Sequence, residues 1–249
     1  MNIPPLAPEA LFHLGPLAVT NTILYTYFAI LVTLLLAWLC GRRLQMVPHG
    51  RSWQMLGEVV IGQLLNLAET AVGRARGRVV FTLMASLFCF IIVANWLSLL
   101  PIIGPIYAVV GNAHVPLFRS VNADWSTTLA LAVITFLATE YWALRFRGKE
   151  HLKHFLWPPG IGQIELVSEL VRMLSLSVRL FGNLLAGEVL VTVMTNLIPI
   201  FVPSLFQVLE TLFGLIQALV FTVLCLAYFT LGTTSHEQEP DHLAVAGAH

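Results

Sequence analysis

The sequence predicts an all-α membrane protein with five main membrane helices plus an interfacial helix, the fourth and fifth helices forming a long, strongly tilted hairpin. Three observations predict it. Of 249 residues, 57% are hydrophobic and only 10% charged, where soluble domains carry about 25% charged residues. The apolar residues gather in runs of about 20, the length a helix needs to cross a bilayer core. The cations, in turn, collect in the gaps between those runs. Mean hydropathy is +0.83, and formal net charge is zero. No global field therefore favours nucleic acid or an acidic substrate, and only the placement of charge is informative.

Residues 1–20 read as an N-terminal segment on the outer side of the membrane. The first forty residues hold Glu9 and no Lys or Arg, so the basic n-region of a secretory signal peptide is missing and the N-terminus reads as mature protein. Asn21 to Cys40 is uncharged and forms the first span. Arg42, Arg43, Pro48 and Arg51 follow, and then 52–72 reads as a helix carrying Glu58 and Glu69. It is too polar to cross and lies at the interface. Arg74, Arg76 and Arg78 lead into the second span, Val79 to Leu100, which Pro101 and the Gly104-Pro105 pair stop.

Residues 105–124 read as a loop ending in Asp124, beside the start of the third span, Trp125 to Leu144. Glu140 sits near that span's far end, and Arg145, Arg147, Lys149, Lys153 and a Trp-Pro-Pro-Gly break at 157–160 come next. From Gln163 to Ile198 there is no proline. That stretch allows a helix of roughly 54 Å at 1.5 Å per residue. It exceeds one perpendicular crossing, so it must tilt, lie partly along the membrane, or bend. Pro199 and Pro203 make the turn, Leu205 to Gly232 is the last helix, and 233–249 is a polar tail. The chain reads as a single membrane domain without repeats.

Short cytoplasmic loops are enriched in Lys and Arg. Six arginines lie between the first two spans and four cations between the third and fourth, against Arg119 alone on the other side. The N-terminus is expected outside and the C-terminus in the cytoplasm.

Charges within the spans carry the functional reading. The fourth helix holds Glu165, Glu169, Arg172, Arg179, Asn183 and Glu188, and a charge near the bilayer centre costs about 2.5 to more than 10 kcal/mol without compensation. Ser175, Arg179 and Asn183 share a face at i, i+4 and i+8, whereas Glu188 lies about 180° around the helix and roughly 13 to 14 Å along it. Arg179 therefore lacks an intrahelical partner and reads as functional. Arg172 reads as a snorkelling residue or as a structural pair with Glu165 or Glu169. In the last helix Glu210 and Gln217 lie within about 20° of each other. Antiparallel packing across the turn lets Glu188 and Glu210 approach, a pair that reads as buried packing or as a proton path. Asn183, Gln217, Ser175 and Asn95 read as interhelical hydrogen-bonding groups or as polar stations on such a path. Cys40, Cys89 and Cys225 are far apart, without metal-ligand or disulfide spacing, and read as packing residues.

The segment Ser175 to Glu188, SLSVRLFGNLLAGE, closely resembles the signature of subunit a of the F-type ATP synthase. The segments GLIQALVFTVLCLAYF, ANWLSLLP and NADWSTTLA resemble corresponding stretches of that family, so the likeness runs over about 80–233. It implies a static partner of a rotating c-subunit ring, held by the b-subunit peripheral stalk and working with the catalytic F1 sector in a bacterial plasma membrane. It further implies that Arg179 is the counter-ion of the ring carboxylate and the barrier to a leak between two half-channels. Glu188, Glu210, Asn183, Gln217, Ser175 and Asn95 then match path positions, while Ser98 stands where some members carry an acid. A guanidinium does not deprotonate at ordinary pH, so the proton carriers must be carboxyls and water. Cofactors and metals are not expected, and no Walker A loop is present, which leaves ATP chemistry to partner subunits. A solute transporter would show internal repeats, and an intramembrane hydrolase GxSxG or HExxH. Neither is found; His236-Glu237 falls in the tail.

Overall fold

The computed structural model describes residues 10–14, 17–42, 53–99, 107–110, 113–116, 120–148, 161–197 and 201–233. Arg43, Arg51, Pro101, the Gly104-Pro105 pair, Arg119, Lys149, Lys153, the 157–160 break, Pro199 and the 234–249 tail lie outside these residues.

Among the described residues six helices make the body: α1 (Asn21–Arg42), α2 (Trp53–Val72), α3 (Arg74–Ser98), α4 (Trp125–Arg147), α5 (Ile161–Leu197) and α6 (Phe201–Thr233). All but α2 are long and apolar enough to cross a membrane. The chain is an all-α membrane protein with five such helices. Two short antiparallel ladders occur outside them, β1 (Ala10–Leu14) with β2 (Leu17–Thr20) and β3 (Tyr107–Val110) with β4 (Ala113–Pro116). They fall in stretches that carry no apolar run of spanning length, which is why the sequence reads there as terminal segment and loop. Closed ladders or helices are the only backbone arrangements lipid tolerates, and these open ladders lie before the first helix and between α3 and α4.

Local chemistry sets the helix ends. Gly73 takes φ +80° between α2 and α3, a conformation L side chains rarely adopt, and so ends one helix and lets the next begin at Arg74. Asp124 caps α4, accepting from the Ser126 amide at 3.0 Å and the Ser126 hydroxyl at 2.8 Å. Gly148 closes the same helix with φ +61° and donates its amide to the Leu144 carbonyl. Pro203 is a correction: it lies inside the first turn of α6 rather than in the turn before it. Proline is tolerated there because its missing N–H would have had no intrahelical acceptor.

The core sits where α3, α4, α5 and α6 meet. Met84 and Ile91 of α3, Leu131 and Ala132 of α4, Leu176, Leu180 and Leu184 of α5, and Ala218, Phe221 and Phe229 of α6 are all buried in it. Helix α2 joins through Leu64 and Ala68, and its backbone touches α3, since a Cβ at Gly77 would lie 2.7 Å from the Glu69 Cα. Helix α1 packs on α3 through a smaller cluster of Tyr25, Ala29, Ala94 and Val121. Arg76 ties one end of the bundle, donating to the Thr233 carbonyl at 3.2 Å and lying 5.5 Å over the Phe146 ring. A cation there also meets the negative end of the α6 dipole. The outer faces are apolar too, as at Tyr27, Leu31, Leu34 and Leu137, which suits lipid rather than water. Cys225 is buried, Cys89 half-buried and Cys40 exposed.

Gly77→Val should destabilise the α2–α3 contact by about 1–3 kcal/mol, the cost of overpacking. Gly62→Ala, where nothing lies within 4 Å, should leave the fold intact or gain up to about 1 kcal/mol of helix propensity. Thermal unfolding of the two variants in detergent measures the contrast.

Candidate functional site

Helix α5 is continuous from Ile161 to Leu197, so positions on it follow a regular angular count. Leu176, Ser177, Leu180 and Leu184 form its buried stripe. Ser175 and Arg179 fall on the exposed side with Val171, Leu174 and Val178. Just beyond, Phe181 holds the start of α4 edge-on against Trp125, ring centroids 5.6 Å apart. Among the described residues, none hydrogen-bonds or forms an ion pair with the Arg179 guanidinium. Five N–H donors and a permanent charge are thus displayed on a surface otherwise built of valine and leucine. The group can hold an anion offered from outside the chain, and it cannot release a proton.

The carboxylates are placed differently. Glu210 of α6 reaches the α5 backbone at Gly187, where a Cβ would lie 2.7 Å from its Oε1 and 3.0 Å from its Cδ. A side chain at 187 would require the Glu210 carboxyl to move aside. Glu188 is the next residue, and the charges of Glu188 and Glu210 act on each other. Asn183, Gly187 and Glu210, with Leu190, Phe206 and Phe213, line a cavity of ≈ 180 Å³ between the two helices. That volume holds several water molecules. Asn183, Gly187 and Glu210 therefore share one chamber, with Glu188 half-buried beside it, while Ser175 and Arg179 stand on the outer surface of α5.

Asn95 lies deeper, 2% exposed. Its Nδ2 donates to the Gly214 carbonyl at 3.2 Å, and its Oδ1 accepts from Asn122 Nδ2 at 2.7 Å. It clamps α3, α6 and the 3-10 turn at Val121–Ala123 to one another. Trp96 Nε1 donates to the Thr211 carbonyl and Gln207 Nε2 to the Leu99 carbonyl, which extends the seam. Gln217 is buried one turn beyond Gly214, and among the described residues its Nε2 has no acceptor. A buried amide donor of this kind is normally satisfied by ordered water.

Several residues here escape sequence reasoning. Asn122 is nearly fully buried and holds Asn95, but in sequence it is one polar residue in a polar loop. Ser177, not Ser175, is the serine of the interior, donating to the Thr128 hydroxyl at 3.3 Å. Gly187 had one available signal, a glycine directly beside a membrane carboxylate. Toward the other end of α5, Arg172 lies 6.0 Å from the Tyr228 ring centroid. It lines a ≈ 30 Å³ cavity with Glu140 and Glu169. The side chain of Glu165, its other sequence-predicted partner, lies outside the described residues. Among the described residues no cluster of His, Cys, Asp or Glu could hold a metal ion.

Comparison with known proteins gives a consistent result. A family model described as ATP synthase A chain matches residues 23–230. The ATP synthase subunit a of Gloeobacter violaceus is 34% identical over 229 residues, covering 91% of this chain and 89% of the relative. That of Moorella thermoacetica is 33% identical, with 89% and 94% covered. An ATP synthase subunit a 2 of Pelobacter propionicus is 35% identical, with 88% and 90% covered.

Asn95→Leu removes both clamp bonds and leaves the Asn122 amide and the Gly214 carbonyl buried without their partner. A loss of about 1–3 kcal/mol is expected for such orphaned groups. Chemical or thermal unfolding in detergent, read against the Ser175→Ala variant on the exposed side, tests it; Ser175→Ala should change little.

Proposed function

The chain belongs to the ATP synthase A chain family, and from that membership we propose that it is the ion-conducting stator subunit of a rotary ATP synthase. It is a multi-pass membrane subunit that makes no ATP itself, the catalytic sites lying on other subunits. Two half-channels carry protons to and from the carboxylates of a c-subunit ring, with Arg179 as counter-ion and leak barrier. The b-subunit stalk holds the chain still against the catalytic F1 sector. The membrane is a bacterial plasma membrane, with the N-terminus outside and the C-terminus in the cytoplasm, as the positive-inside rule requires.

One observation carries this reading: Arg179 is exposed on an apolar helix face and has no acceptor among the described residues of its own chain. In hydrocarbon an unpaired guanidinium is prohibitively costly, so the surface is complete only against a partner that brings a carboxylate. A ring of such carboxylates moving past supplies one after another. Each is ionised while it faces Arg179, since the fixed positive charge favours the anion, and each is protonated when it turns into lipid. Helix α5, 37 residues long, spans roughly 55 Å and must lie strongly tilted within a hydrocarbon core of about 30 Å. That tilt would present a long contact to the ring.

The outer half-channel runs through the chamber between α5 and α6. Glu188 and Glu210 pass the proton, with water and the amides of Asn183 and Gln217 completing the connection; Ser175 and Asn95 border the path. Carboxylates as carriers favour H⁺ as the ion. A transmembrane potential contributes about 2.3 kcal/mol per charge per 100 mV, and the arginine barrier makes that energy available as rotation instead of leak.

Arg179→Ala in the assembled complex should abolish ATP-driven proton pumping in inverted membrane vesicles and raise passive flux once the catalytic sector is removed. Glu210→Gln, of the same size but unable to carry a proton, should lower pumping several-fold with the complex intact. Coupled pumping at the parental rate in Arg179→Ala would refute the mechanism.

A further inference from the structure

Where α3 begins and α4 and α6 finish, arginines meet a row of aromatic rings. The Trp142 ring of α4 lies 5.3 Å from that of Tyr141 and stacks on that of Phe146 at 5.7 Å, and Phe146 meets Phe229 of α6 edge-on at 6.3 Å. The Arg145 guanidinium lies 5.7 Å from the Trp142 centroid, and that of Arg76, from α3, lies 5.5 Å from the Phe146 centroid. Two cations from different helices thus stand on adjacent rings.

Their charge is not compensated. Among the described residues the one ion pair is that of Arg78 with Glu69, at 3.4 Å. Arg76 gives one nitrogen to the Thr233 carbonyl, a neutral acceptor. Arg145 is exposed and, among the described residues, makes no hydrogen bond or ion pair. An aromatic face attracts a cation without neutralising it. Each guanidinium carries five N–H donors in a fork that matches the oxygens of a carboxylate or a phosphate, so this end of the bundle is suited to an anion.

The surface beneath the arginines narrows the choice. Ile134, Leu137, Tyr141 and Arg145 recur at i, i+3, i+7 and i+11, which places them on one face of α4, and the first three are more than half exposed. The stripe is roughly 16 Å long, close to the depth of one leaflet of a hydrocarbon core about 30 Å thick. It runs from the membrane interior to a guanidinium. A free anion has no use for such a stripe, whereas a lipid has both a charged head and a chain to lay along it.

We propose that Arg76 and Arg145, backed by Trp142 and Phe146, form a binding site for one anionic phospholipid. Its headgroup oxygens accept from the two guanidiniums, linking the start of α3 to the end of α4, and an acyl chain lies along Tyr141, Leu137 and Ile134. Basic sites between membrane helices bind acidic headgroups in this manner. The site depends on the membrane-spanning fold and not on the transport role.

The full chain in detergent is titrated with phosphatidylglycerol and, separately, with phosphatidylcholine of the same acyl chains, and retained lipids are counted by native mass spectrometry. One phosphatidylglycerol should be retained in preference to phosphatidylcholine; equal retention of the two would overturn the proposal. Arg145→Gln should cut that preference about fivefold, and Arg76→Gln combined with it about 25-fold, the worth of one and of two arginines toward an acidic lipid. Arg78→Gln removes the same charge from the same end, but from the arginine that Glu69 already pairs, and should keep the parental preference. An equal loss there would mean diffuse attraction and overturn the site. Should the double variant fail to fold, Arg145→Gln decides, since its side chain has no described hydrogen bond to lose: a reduced preference supports the site and a parental one overturns it. Inorganic phosphate at millimolar concentration should leave the lipid bound, and displacement by it would overturn the assignment to a lipid.

Discussion

A guanidinium cannot be discharged inside a membrane, and most of what is unusual in this chain accommodates that constraint. An apolar helix normally turns its polar residues toward neighbouring helices, where they find partners. Helix α5 does so with Ser177 and with Asn183, but it turns Arg179 outward, onto a face of valine and leucine. Nothing within the described residues neutralises it. The outward arginine presents a permanent charge on an apolar face of this chain, and the proposed stator role gives that charge its use, as a contact for a carboxylate on another molecule.

Holding that surface in place requires rigid backing, and the chain provides it by close backbone approach and by a few well-placed amides. Gly187 lets the Glu210 carboxyl reach the α5 backbone, and Gly214 lies 3.1 Å, measured from a Cβ built there, from Asn95 Cβ. These glycines matter for the absence of a side chain, since both sit in regular helix. Asn95 then joins α3 to α6 and to Asn122. In lipid such bonds are worth only about 1–2 kcal/mol each. Their value lies in register, for they fix which turn of α6 faces which turn of α3, and so the level at which Glu210 and Gln217 stand in the bundle.

How far this could be read from sequence follows from what a single helix encodes. Hydropathy is a property of each segment alone, so five apolar helices are legible, and so is a further helix bearing Glu58 and Glu69 that is not apolar enough to count among them. The angular count from Arg179 to Glu188 was legible because α5 is unbroken. Pairing between segments was not. Asn122 looks like loop polarity until it meets Asn95, and Glu140 and Glu169 lie in different runs with no local sign that they share a cavity with Arg172. Ser175 shares a face with Arg179 by its spacing, whereas the buried serine is Ser177. Proline usually breaks a helix, and only the position of the helix start makes Pro203 harmless. The paired strands at Ala10–Leu14 and Leu17–Thr20, and at Tyr107–Val110 and Ala113–Pro116, lie in stretches too short and mixed to carry a period.

The placement of the carboxyls follows from the same constraint that exposes the arginine. A group that exchanges protons with bulk phases needs water, and a group that blocks their direct passage must exclude it. Glu210 lines a half-open cavity between two helices, and Glu169 and Glu140 line another at the opposite end, each with space for water. Arg179 lies between these levels and outside both cavities, on the surface. Under the proposed stator role, Glu210 lines its cavity while Arg179 stands outside it, so a carboxylate carried past the arginine on another molecule makes the connection, and a path interrupted in this way can convert ion flow into motion.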